Sequence, residues 1–79
     1  MRILELTQYN AADNSTRSDI LVPMDGIAFI ERAITMDDEE NVKEYSVIYF
    51  RGSAPNISVS ETLDEIKQML KEDSEIKLP

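Results

Sequence analysis

Between Thr35 and Tyr45 the chain reads TMDDEENVKEY, with Asp37, Asp38, Glu39 and Glu40 in succession and Glu44 close behind. A crowd of carboxylates offers three kinds of chemistry. It can hold a hard divalent cation through oxygen ligands, supply an acid and a base where burial separates two pKa values, or imitate the phosphates of a nucleic acid. Cation binding wants ligands at alternating positions, a glycine for the sharp turn and a distal glutamate. The run has consecutive acids and no glycine, so no metal is expected. An acid–base pair wants an apolar setting. The acids here stand in polar surroundings except Glu31, which flanks the run Ile27-Ala28-Phe29-Ile30 and would point outward from a strand. What remains is a choice between a solvated connection, whose like charges discourage edge pairing, and an electrostatic decoy.

Other reactive groups are scarce. The chain has no cysteine and no histidine, which removes thiol catalysis, disulfides, the usual zinc sets and the ordinary general base. Ser58 and Ser60 have no base nearby, and no glycine-rich loop exists to cradle a phosphate. Neither an enzyme nor a cofactor is expected. Arg2, Arg17, Arg32 and Arg51 are scattered among acids rather than gathered with aromatics, so direct nucleic-acid binding is not expected either.

The net charge of −8 has an address. Residues 37–44 carry five acids and one lysine, net −4; residues 61–75 carry six acids and two lysines, also −4; the remainder balances at five against five. If these two segments share a face, they form one negative surface that steers basic partners.

The elements that position these residues follow from pattern. A chain of 79 residues supports one core, and 42% hydrophobic residues put it in the globular class despite its charge. One domain over residues 1–72 is expected, followed by a polar tail at 73–79. RILELTQY suits a half-buried first strand, and NAADNSTRSD has little to bury and reads as a mobile loop or wide hairpin connection. ILVP ends a strand at Pro23. PMDG reads as a turn, with a short helical turn near Met24 to Ile27 also compatible. IAFIERAIT favours a strand over an uncapped helix. YSVIYF, Tyr45 to Phe50, is the clearest strand of all, and ISVS directs Ile57 and Val59 inward. Thr62-Leu63-Asp64-Glu65 matches a capping box, opening an amphipathic helix of about two and a half turns with Leu63, Ile66, Met69 and Leu70 on one side. In so small a domain Phe29, Tyr45, Tyr49 and Phe50 are expected in the core. Tyr45 and Tyr49 share a strand face with Val47, and that face, if the helix leaves it uncovered, is the first candidate for a partner surface.

From Ile20 onward the chain resembles the FlbD-like small flagellar proteins and similar short proteins of bacteria and phages. The resemblance rests on LVPMDGIAFIE, YSVIYFRG and ISVSETLDEIKQML, within residues 20–71. This chain differs in its longer connections at 10–19 and 36–44. The resemblance implies the same small architecture and brings no catalytic residues with it.

The expected fold is therefore α+β, a small antiparallel sheet of about four strands with one C-terminal amphipathic helix packed on it. The expected function is a non-catalytic, acidic protein–protein interaction module, a phage or bacterial accessory protein acting on a larger assembly. Its partner-binding residues would be Asp37, Asp38, Glu39, Glu40, Tyr45 and Tyr49, and its edge strands would allow a homodimer by sheet extension. The alternative is an acidic inhibitor that mimics nucleic acid. The N-terminus has no apolar run suited to a signal or a membrane span, which points to the cytoplasm.

Overall fold

The β-branched and aromatic run at Tyr45–Phe50 is the inner part of a longer strand. The computed structural model describes residues 2–36 and 39–76, with side chains as far as Lys71. The elements are β1 (Ile3–Asn10), β2 (Ser15–Pro23), a single 3-10 turn (Met24–Gly26), β3 (Ile27–Met36), β4 (Val42–Phe50), β5 (Ile57–Val59) and α1 (Leu63–Ile76). The architecture is α+β, with one antiparallel sheet in the order β2-β1-β5-β4-β3 and a C-terminal helix. The sheet has five strands rather than about four.

Part of the 10–19 stretch, expected to be a loop, is strand. β1 turns back through residues 11–14 and β2 begins at Ser15, so four polar residues, Ser15 to Ser18, belong to an edge strand that needs no apolar side chain to hydrogen-bond its neighbour. Asn14 closes the turn at φ 56°, a left-handed conformation that asparagine tolerates better than most residues. Asn10 and Asp13 side chains accept from the backbone N–H groups of Ala12 and Ser15. Helix α1 is also longer than its apolar stripe suggested, with 14 residues that include part of the presumed tail.

The strand order has a geometric consequence. Neighbouring strands lie about 4.8 Å apart, so the outer strands of a flat five-stranded sheet would be separated by roughly 19 Å. Yet β2 and β3 are those outer strands, and the three residues Met24–Gly26 alone connect them. At a rise of about 2.0 Å per residue a 3-10 turn cannot bridge that gap. The sheet is therefore strongly curled, its two edges drawn together at the turn. One core joins both sides of the curl, with Leu4, Leu6 and Val22 from β1 and β2 meeting Ile48, Val59 and Ile66 from β4, β5 and α1. Ile30 and Phe50 pack partly buried against it. Burial of each such aliphatic side chain contributes about 1.5–3 kcal/mol.

Helix α1 starts where its sequence said it would. Thr62 Oγ1 accepts from the Glu65 N–H and Glu65 Oε1 accepts from the Thr62 N–H, the reciprocal capping box. Ile66 is 1% exposed and anchors the helix in the core, with Met69 and Leu70 beside it. The link from β5 to α1 is also the clasp for β1. Glu61 accepts from the Thr7 N–H at 2.8 Å through one oxygen and from the Thr7 hydroxyl at 3.1 Å through the other. The Glu61 carbonyl accepts from Ser46 Oγ at 2.8 Å, which satisfies a serine with no exposed surface.

Candidate functional site

Paired residues in antiparallel strands share a face, so the β3–β4 register sorts the whole hairpin. Phe29 pairs with Tyr49, Glu31 with Val47, Ala33 with Tyr45 and Thr35 with Lys43 on one face. Ile30 pairs with Ile48, Arg32 with Ser46, Ile34 with Glu44 and Met36 with Val42 on the other. Ile48 and Ser46 are fully buried in the core that contains Ile66, so the second face is the one α1 covers. The first, outer face carries Tyr45 and Tyr49, and the helix leaves it open.

The aromatics on that outer face fall into two pairs. Phe29 and Tyr49 stack at 4.4 Å between centroids, with planes 17° apart. Phe29 is 55% exposed, and Tyr49 donates to Glu31 Oε1 at 3.2 Å. The Glu31 charge, reinforced by partial desolvation, raises the Tyr49 phenol above its ordinary value. The expectation that all four aromatics enter the core is thus corrected for Phe29, Tyr45 and Tyr49; of the four, only Phe50 packs against the core cluster. The register irregularity between Ile27 and Phe29 turns Phe29 outward, opposite Tyr49.

Tyr45 takes part in a second assembly with Tyr9. Their rings meet at 5.1 Å with planes tilted by 50°, and the Lys43 ammonium lies 5.0 Å from the Tyr9 centroid. Tyr9 is 3% exposed, yet it stands apart from the aliphatic core cluster. Its hydroxyl donates to Asn14 Oδ1, so this assembly ties the 11–14 turn to β4. Tyr45 is half-buried in that assembly, while the Phe29–Tyr49 stack keeps Phe29 exposed on the open face.

The acidic residues are placed less uniformly. Asp37 and Asp38 lie outside the described residues. Glu39 and Glu40 are exposed at the end of the β3–β4 hairpin, and Glu40 holds a positive φ of 64°. The question whether the two acidic segments share a face has a definite answer at their near ends. Arg32 Nε lies 3.5 Å from Glu44 Oε2, and Arg32 Nη2 lies 3.8 Å from Asp64 Oδ1, so one guanidinium joins the hairpin's acids to the first turn of α1. Glu61 is spent internally on Thr7. Among the described residues no three of the acidic side chains converge on a point that would hold a metal ion.

No family model matches the chain, and neither a curated protein nor a solved structure does. Function must therefore be read from the surface itself. Among the described residues no helix is long and apolar enough to cross a membrane. The described surface includes an open groove of about 570 Å³ whose lining includes Gln8, Asn10, Arg17 and Ser58, and a smaller hollow of about 210 Å³ between Arg2, Leu4, Met69 and Leu70.

Sequence reasoning did not single out Phe29, Ile34, Met36 or Val42 as surface residues. Ile34, Met36 and Val42 are 62%, 59% and 67% exposed, on the helix-side face but beyond the helix. A signal for them was present. Ile30, Arg32 and Ile34 alternate with period two across the expected strand Ile27–Thr35, and the strand's continuation by one residue sets Met36 opposite Val42.

Proposed function

We propose that this protein is a non-catalytic protein-interaction module that docks on a larger assembly through the β3–β4 hairpin. The observation that carries this reading is the Phe29–Tyr49 stack on the sheet face that α1 leaves open. Stacked aromatics with exposed surface and a hydroxyl at the rim supply rigid contact area at low entropic cost, the composition favoured at interface centres. The resemblance of residues 20–71 to FlbD-like small flagellar proteins supports an accessory role in a bacterium or phage.

The test is capture by the immobilised full chain from its native host, read by mass spectrometry, beside the double variant Phe29→Ser, Tyr49→Ser. A partner retained by the natural chain and lost by the variant supports the reading. Equal capture by both removes it.

A second reading, an acidic inhibitor that competes with nucleic acid, draws support from Arg32, which brings the acidic hairpin and the acidic helix start together. It requires binding that weakens steeply with added salt and is lost when Asp37, Asp38, Glu39 and Glu40 are neutralised.

A further inference from the structure

Helix α1 approaches the β3–β4 hairpin near Arg32, and the hairpin runs on past it. From Arg32 to Met36 four further residues of strand extend about 13 Å at the usual rise. This projection accords with a molecule measuring 48 × 28 × 20 Å. On the helix-side face of this arm Ile34, Met36 and Val42 form one apolar triangle, Met36 directly opposite Val42 and Ile34 two residues along on the same face. Together they account for half of the large hydrophobic side chains described as exposed.

The charges around the triangle are net negative. Glu44 stands opposite Ile34, Glu39 and Glu40 lie at the hairpin end, and Asp64 lies at the root. The two cations of the arm do not offset these acids: Arg32, on the same face, is shared between Glu44 and Asp64, and Lys43 lies on the opposite face against Tyr9. An apolar centre with an acidic rim is complementary to apolar side chains flanked by lysine or arginine.

We infer that the helix-side face at the end of the β3–β4 arm is a docking surface for a basic amphipathic helix of a partner protein. Spacing supports a helix as the occupant. Same-face neighbours along a strand are about 6.7 Å apart, and side chains at i and i+4 of a helix are spaced about 6 Å along its axis, so two apolar residues of one helical stripe can cover Ile34 and Met36 together. Met36 supplies an unbranched side chain that adapts to the shape it meets. A second copy of this chain is a poor occupant, because each carries a net charge of −8. The inference rests on the reading of the chain as an interaction module, but it uses the face opposite the Phe29–Tyr49 stack.

The test is an NMR titration of the isotopically labelled full chain with a synthetic leucine–lysine peptide patterned as an amphipathic helix. The expected result is a set of amide shifts at residues 33–36 and 42–44, with Ile48 and Val59 unmoved as controls for the fold. Ile34→Glu separates apolar docking from charge alone, since it adds a negative charge to the patch. Docking on the triangle predicts affinity about tenfold weaker in that variant, whereas attraction by charge alone predicts equal or tighter binding and overturns the inference. Shifts confined to the Phe29–Tyr49 face, or no shifts, also overturn it. If capture from the host still depends on Phe29 and Tyr49 in that case, the interaction reading stands without this second surface.

Discussion

Glu61 grips Thr7 with both carboxylate oxygens, one on the backbone N–H and one on the hydroxyl, across 54 positions of sequence. β1 and β5 share only the pair Gln8 and Val59, reinforced by the Ser60 N–H donating to the Thr7 carbonyl. The carboxylate therefore reinforces a sparse backbone junction beside the core that both sides share. Glu61→Ala leaves the Thr7 donors without their partner and is expected to cost about 1–3 kcal/mol in denaturant unfolding. Glu61→Gln keeps one acceptor and should cost less; equal losses for the two variants would contradict this account.

Ile66 and the Thr62 cap are the two points of the helix most open to test. Ile66→Ala should lower stability by about 2–5 kcal/mol, since it removes a 1% exposed aliphatic side chain from the core. Thr62→Ala should cost about 1 kcal/mol. Thermal unfolding followed by circular dichroism would show both, and the reverse ranking would place the helix's anchor elsewhere.

The Phe29–Tyr49 pair belongs to a surface, so stability and binding should part company there. Phe29→Ala is expected to cost about 1 kcal/mol, the scale of one aromatic pair. Partner capture should nevertheless be lost. A loss of stability several times larger would return Phe29 to the core.

Tyr49 should ionise above the ordinary tyrosine value. Its phenol is raised first by the Glu31 charge. A group with a raised folded pKa contributes stability that is fully present below the unfolded value near 10 and is lost as pH climbs through the folded value. NMR titration of the Tyr49 ring should therefore show a midpoint above the ordinary value, and Glu31→Gln should bring it down. An unchanged midpoint in that variant would rule out the carboxylate as the cause.

At the turn before β2 the sign reverses. Asp13 accepts from the Ser15 hydroxyl, its main partner, and pairs with Arg17 at 3.0 Å, which lowers its carboxyl below the usual range. Any stability it adds is present above the unfolded Asp value near 3.9 and is lost as pH falls through the lowered one. Carbon-13 NMR of the Asp13 carboxyl should titrate below that value, and Ser15→Ala should raise the midpoint.

What the residues made legible was local. The capping box at Thr62, the end of β2 at Pro23 and the β4 run all depend on groups a few positions apart, and each stands where its chemistry demands. The shared face of Tyr45 and Tyr49 was likewise legible, because strand side chains alternate. What stayed hidden depends on pairing. Ser15 to Ser18 look like loop because their strand is stabilised by β1's backbone, and Phe29 looks like core because one irregularity at the start of β3 decides which way it faces. The engagement of Arg32 with both acidic segments, and of Lys43 with Tyr9, required distances that no local pattern carries.

The long reach of Glu61 also orders events during synthesis. β1–β2 and β3–β4 are hairpins of neighbouring segments and can form as they leave the ribosome, but isolated hairpins are marginal in water. The strand that lies between them in the sheet, β5, is translated after both, and the carboxylate that clasps Thr7 follows it. Folding to the native sheet thus waits for residues 57–61, and until they are free to pair the two hairpins lack the strand that joins them side by side.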